Sequence, residues 1–230
     1  MKNAISSRQN PLFQRIRDAI REHAGEIVIE GPKQVADALA AGWKPVARVE
    51  RGVDFTPELF DQLSETRAPQ NVIALFERPR GDANEILARR DTVAIALDAV
   101  QDPGNVGTIV RLAAAFDAAG VLLLPGCADP FGPKAIRASA GAILSVAVAN
   151  VSADELLAAR VPLVVADMRG DAADPPARDA VLVFGNEGAG VSETIRRAAR
   201  AISIPMSSRV ESLNVASSAA ILLARSFAIR

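Results

Sequence analysis

Three polar stretches of this chain crowd together residue types able to bind, orient or stabilise charge. They run from Asp98 to Arg111 (DAVQDPGNVGTIVR), from Val183 to Gly190 (VFGNEGAG) and from Ile204 to Val215 (IPMSSRVESLNV). In the first, Pro103, Gly104 and Asn105 predict a tight turn with Asn105 as helix cap, and Arg111 falls in the second turn of that helix. In the second, three glycines in six residues let backbone approach a ligand closely, while Glu187 among them would repel a phosphate. Ser192 is placed to cap the helix that follows. In the third, Arg209, Glu211, Ser212 and Asn214 precede a terminal helix that Ser212 or Asn214 can cap.

Composition narrows the chemistry further. A single Cys127 and a single His23 exclude an intramolecular disulfide and a multi-histidine zinc site, and they leave a catalytic triad only if His23 serves. No metal is expected. The glycine spacing G-x-x-G-x-G departs from the dinucleotide fingerprint, and no phosphate loop of the G-x-x-x-x-G-K type occurs, which disfavours nicotinamide and ATP enzymes. Arg, Glu, Asp, Ser and Asn are left to do the work.

The elements that must position these residues follow from hydrophobic patterning. Residues 1–76 read as a small α/β domain: helices over Pro11 to His23 and Pro32 to Ala41, with strands over Glu26 to Glu30, Val46 to Glu50 and Val72 to Phe76. Residues 77–91 are polar and read as a linker with a short helix near Ala83 to Arg90. Residues 92–230 alternate apolar strands (Val93 to Leu97, Val121 to Leu124, Leu163 to Ala166, Val181 to Phe184, Ile202 to Ile204) with helices. These helices are expected at Val106 to Ala118, Pro133 to Ala138, Ala153 to Ala159, Ser192 to Ala199 and from Asn214. That alternation predicts a parallel sheet covered on both faces, whose strand ends carry the three polar loops. No apolar run approaches the ~18 residues of a membrane span and the start has no apolar leader core, so a soluble cytoplasmic protein is expected.

The three stretches, in this order, resemble the three motifs of the SpoU (TrmH-like) RNA ribose 2′-O-methyltransferases of the SPOUT superfamily. The first is similar to N-x-G-x-x-x-R (Asn105, Gly107, Arg111), the second to G-x-E-G-x-G (Gly185, Glu187, Gly188, Gly190), the third to IPM and SLNV (Ile204 to Met206, Ser212 to Val215). Asp129 to Gly141 resembles a further segment, and Ile5 to Pro11 and Ile29 to Lys33 resemble an amino-terminal RNA-binding domain. The loop departs from many relatives in having Ser207, Ser208 and Arg209 where they have a glycine.

The resemblance implies a parallel-sheet domain with a carboxyl-terminal trefoil knot, a homodimer, and S-adenosyl-L-methionine as cofactor. It implies that Gly185, Asn186, Gly188, Ile204, Met206 and Leu213 hold the cofactor, the glycines by allowing close backbone approach. Arg111 is implied to be catalytic, with Asn105, Glu187, Ser212 and Asn214 orienting it and the ribose. Since a guanidinium stays protonated at ordinary pH, Arg111 suits an electrostatic clamp better than a base. RNA is the implied partner, ribosomal first and transfer second, and a catalytically silent RNA-binding protein on the same scaffold is the alternative.

Net charge is only −1, and residues 1–21 concentrate what basic excess there is: Lys2, Arg8, Arg15, Arg17 and Arg21 against Asp18 alone. Arg8, Asn10 and Arg15 there, with Lys134 and Arg137, are the expected RNA contacts. Trp43 and the scattered Phe are expected in the core, Cys127 as a small buried hydrophobe, and His23 as a partner of a helix dipole.

Overall fold

Asn10 starts the first helix, α1 (Pro11–Glu22). Its Oδ1 accepts the N–H of Leu12 at 2.9 Å and of Phe13 at 3.3 Å, while Pro11 presets the first helical dihedral. Phe13, Ile16 and Ala19 recur at helical spacing and are buried in one cluster with Phe55, Phe60 and Leu75. The computed structural model describes residues 4–22, 25–64 and 68–229, so His23 lies outside the described residues.

Two units are resolved: Met1–Pro79 together with Phe131–Pro133, and Arg80–Pro130 together with Lys134–Arg230. In the first, β1 (Glu26–Glu30), β2 (Pro45–Glu50) and β3 (Val72–Glu77) form an antiparallel sheet of order β1-β3-β2. Helix α2 (Pro32–Ala40) follows β1, and a one-turn helix, α3 (Pro57–Phe60), is capped by Thr56 and too short to leave a periodic signal. Trp43 is half-buried, edge-on to Phe76 and to Phe131 with centroids 6.0 Å apart in each case, so it borders the core instead of filling it.

The second unit begins with α4 (Ala83–Ala88), within the stretch read from sequence as a linker. Its Ile86 and Leu87 are buried in that unit's core with Ala94, Leu122 and Leu163. Six strands follow: β4 (Val93–Asp98), β5 (Val121–Leu123), β6 (Val148–Asn150), β7 (Leu163–Asp171), β8 (Ala180–Gly185) and β9 (Arg200–Ile202). All pair in parallel, in the order β6-β5-β4-β8-β7-β9. The middle strands β4 and β8 are apolar and buried from Val93 to Leu97 and from Ala180 to Phe184, as a sheet covered on both faces requires.

The helices are α5 (Pro103–Ala115), α6 (Pro133–Ser139), α7 (Ala153–Ala158), α8 (Glu193–Ala198) and α9 (Val215–Ala228), with a 3-10 turn at Ala142–Leu144. Two caps differ from the sequence expectation. Asp102, not Asn105, caps α5 by accepting the Asn105 N–H at 3.0 Å, so the helix starts at Pro103 and Arg111 falls in its third turn. Ser192 stands at the start of α8, but its side chain makes no capping bond; its N–H instead donates to the buried Asp98 Oδ2 at 2.8 Å, across from β4.

Gly107 shows what brings α5 and α6 together. A Cβ there would fall inside the van der Waals envelope of the Ala135 carbonyl oxygen and 2.8 Å from the Ala138 methyl. Gly107→Ala is therefore expected to force the two helices apart and to destabilise the fold by about 1–3 kcal/mol, read from the denaturant midpoint at unchanged slope.

Candidate active site

The carboxyl ends of β4, β8 and β9 deliver the three polar loops to one edge of the parallel sheet, the position at which open α/β sheets bind ligands. There a chain of side-chain hydrogen bonds joins them. Asn105 Nδ2 donates to Glu187 Oε1 at 2.6 Å, and Asn214 Nδ2 donates to Asn105 Oδ1 at 3.1 Å. Asn214 Oδ1 in turn accepts the N–H groups of Ala216 at 2.9 Å and Ser217 at 3.3 Å, capping α9. The direction of the chain is fixed at both ends. A carboxylate can only accept and helix amides can only donate, so each Asn has one workable orientation between them.

The glycine-rich loop is folded by its own backbone. Asn186 and Gly190 exchange both main-chain hydrogen bonds, N–H to O=C, at 3.0 and 2.9 Å. Asn186 Oδ1 accepts from the N–H groups of Gly188 and Ala189, both at 2.9 Å, and its Nδ2 donates to the Ala99 carbonyl at 3.0 Å. A Cβ at Gly185 would lie 2.5 Å from the Gly190 oxygen, so that glycine is required by the pinch of the loop upon itself. Gly190 has φ +72°, which a side chain rarely adopts. The fold of the loop is thus a sufficient reason for Gly185, in addition to the close approach to a ligand inferred from sequence.

Beside this network lies a cavity of about 520 Å³, within the range of small-molecule sites. All six residues expected to hold a cofactor line it: Gly185, Asn186, Gly188, Ile204, Met206 and Leu213. So do Glu187 and Ser212. Its wall also includes Asp167, Met168, Arg169 and Arg196, which sequence reading missed. The strand expected to stop at Ala166 continues as β7 to Asp171, with a shift in its pairing with β9 between Ala166 and Asp171, the stretch that holds Asp167, Met168 and Arg169, whereas Arg196 comes from α8. The polar run DMRGD directly after an apolar strand is the signal in the sequence for the first three of these.

Asp167 and Glu187 are the carboxylates of that wall. The backbone N–H of Arg169, at 2.9 Å, and then the guanidiniums of Arg169 and Arg196 hold the Asp167 carboxyl below the usual range, against an opposing effect of burial. Arg196 also donates to the Val191 carbonyl at 3.2 Å. Burial pushes the Cys127 thiol up; it is half-buried and donates to the Leu97 carbonyl at 3.2 Å, so it carries a polar contact as well as packing.

The remaining expected site residues are not gathered into this network. Arg111 is exposed on α5, about 9 Å of helical rise beyond Asn105. Among the described residues it has no hydrogen bond or ion pair. In the first unit, Asn10 Oδ1 is occupied as the α1 cap, Arg15 is ion-paired with Glu26, and Arg8 is exposed. Lys134 Nζ donates to Asp102 Oδ2 at 2.6 Å, bracing the cap that sets Asn105, and Arg137 is exposed on α6. No group of three or more His, Cys, Asp or Glu suited to a metal ion occurs among the described residues, and no described helix is long and apolar enough to cross a membrane.

The Lys134 ammonium first, and then the Asn105 N–H, hold the Asp102 carboxyl below its ordinary value. The stabilisation from that pairing is present above the ordinary carboxylate range and is lost as pH falls through the lowered value. Asp102→Asn retains a capping side chain but has no charge to lose. Its melting temperature is expected to fall less steeply than that of wild type on acidification, the two curves converging at low pH; parallel curves would contradict this assignment.

Comparison with known proteins agrees with this architecture. The SpoU rRNA Methylase family matches residues 92–224. The chain is 30% identical to a 23S rRNA uridine 2′-O-methyltransferase of Streptomyces viridochromogenes, over 88% of this chain and 83% of that protein. It is 32% identical to a 23S rRNA guanosine 2′-O-methyltransferase of Bacillus subtilis, over 88% and 84%. The crystal structure of an AdoMet-bound rRNA methyltransferase from Sinorhizobium meliloti superposes with a TM-score of 0.88 at 28% identity, covering 97% of each chain. With its three motif loops tied together at one end of a parallel six-stranded sheet, the chain belongs to the SpoU rRNA methylase family.

Proposed function

We propose that the protein transfers a methyl group from S-adenosylmethionine to a ribose 2′-hydroxyl of ribosomal RNA, acting in the cytoplasm as a homodimer with a knotted carboxyl-terminal path. The observation that carries this reading is the Glu187–Asn105–Asn214 chain, which links three loops remote in sequence beside a cavity of cofactor size. Ribosomal RNA as substrate rests on the activities named for the two relatives.

The cavity suits the cofactor chemically. Phe184, Ile204 and Leu213 offer apolar surface to an adenine, and Asp167, Arg169 and Arg196 offer groups of both signs to its polar portions. Ser212 and the backbone of the glycine-rich loop add hydrogen-bonding capacity. When bound, S-adenosylmethionine supplies an electrophilic methyl group on a sulfonium. The protein's part is to hold the ribose oxygen in line and to favour loss of its proton.

Arg111 is exposed and unpaired among the described residues, and so available to a phosphate or ribose of the RNA. Its guanidinium stabilises negative charge developing on the 2′-oxygen, with a substrate phosphate as the proton acceptor. Asn105, Glu187 and Asn214 hold the three loops beside the cavity. Neither a metal nor a protein nucleophile is needed.

Methylation of 23S rRNA transcripts with ribose mapping tests the activity directly. Arg111→Ala is expected to lower methyl transfer by about 10²-fold or more while calorimetric binding of S-adenosylhomocysteine stays within a few-fold. Near-normal turnover would remove Arg111 from the chemistry, and absence of any 2′-O-methyl product from wild type on either rRNA or tRNA would overturn the reading.

A further inference from the structure

The first unit holds a second cavity, of about 420 Å³, that the methyl-transfer chemistry does not use. Arg8, Arg17 and Arg21 share it above an apolar floor of Phe13, Ile20 and Leu63, and none of its lining residues is acidic. Arg17 and Arg21 stand one turn apart on α1, where like charges repel. Little relieves them. Asp18 lies 3.6 Å from Arg17 Nη2, and among the described residues neither Arg8 nor Arg21 has an ion pair. Arg17 Nη2 donates to Gln14, yet its Nε is buried with no hydrogen-bond partner among the described residues.

A buried N–H without an acceptor is costly, and although the rest of the Arg17 side chain is partly exposed, an anion entering the cavity would offer its Nε an acceptor. Helix α1 thus has two basic sides of different character. Arg15 is closed by a two-pronged pair with Glu26, whereas Arg17 and Arg21 are turned to a concave site with no carboxylate among its described lining residues. Guanidinium groups match phosphate oxygens in geometry as well as charge. Arg8 and Arg21 are exposed at the cavity, which leaves room for a ligand that continues past it, as a polynucleotide does.

We propose that this cavity is a phosphate-binding subsite for the RNA substrate, with Arg8, Arg17 and Arg21 as its ligands. The proposal rests on the RNA-methyltransferase reading above and moves the expected RNA footprint from Arg15 and Asn10 to Arg17 and Arg21. A free phosphate offers the same chemistry, and the test separates the two.

The full-length protein is titrated with a fluorescein-labelled single-stranded oligouridylate by anisotropy over a series of salt concentrations. Arg8→Ala/Arg21→Ala, which changes only exposed side chains, and Arg17→Met are expected to weaken binding at least tenfold at low salt. They should also lower the slope of log K against log salt by about 0.7 for each phosphate that is no longer neutralised. Arg48→Ala, which removes an exposed charge elsewhere in the same unit, should leave the slope within error. In methylation assays the arginine variants should raise KM for 23S rRNA with kcat and S-adenosylhomocysteine binding preserved. Wild-type affinity and slope in the arginine variants would overturn the proposal, as would loss of inorganic phosphate binding with oligonucleotide binding intact. Failure of wild type to methylate RNA would instead strike the underlying reading.

Discussion

The catalytic end of the sheet depends on one directed run of hydrogen bonds. It starts at the amides of α9, passes through two asparagine side chains and ends on the Glu187 carboxylate. The positive end of a helix and a negative side chain stand at opposite ends, so the polarity of every bond between them is set by charge as well as by geometry. Asn105 and Glu187 are 82 residues apart in the chain, and Asn105 and Asn214 are 109. No local propensity could produce such a run; it exists because the parallel sheet brings the ends of β4 and β8 side by side and α5 packs with α9.

Much of what surrounds it serves to hold that alignment. Asp98, at the end of β4, reaches across to receive the Ser192 amide, and Asn186 reaches back to the Ala99 carbonyl. The segment after β8 is therefore bound to the end of β4 by two bonds, both donated from the β8 side. Asp102 and Lys134 brace the start of α5 from the other side. Gly107 and Gly185 belong to this framework too, since each permits an approach of backbone that a single methyl group would block. Their place in the motifs reflects packing before it reflects any ligand.

Charge in the first unit is organised by pairing more than by amount. The basic excess of residues 1–21 divides into an arginine neutralised by Glu26 and arginines facing a cavity with no acid among its described lining residues. Net charge cannot distinguish these situations, because a solvated ion pair and an unmatched guanidinium count alike until their neighbours are known.

The sequence by itself determined the alternation of strand and helix, the apolar runs that become buried parallel strands, and the three polar loops that the fold gathers. It also carried the family motifs, because Asn105, Arg111, Glu187 and Asn214 are recognisable as types at a spacing. Short-range patterning erred where a distant partner decides. Asn105 reads as a cap until Asp102 takes that place, Ser192 reads as a capping side chain but makes no capping bond while its amide goes to Asp98, and the strand that reads as ending at Ala166 runs on to Asp171, which pairs with Ile202 of β9. Only the tertiary structure decided which donor meets which acceptor, why Gly185 must lack a side chain, and which arginines of α1 face a cavity. Those outcomes depend on atoms brought within a few ångströms across scores of residues, and such proximity is a property of the folded path.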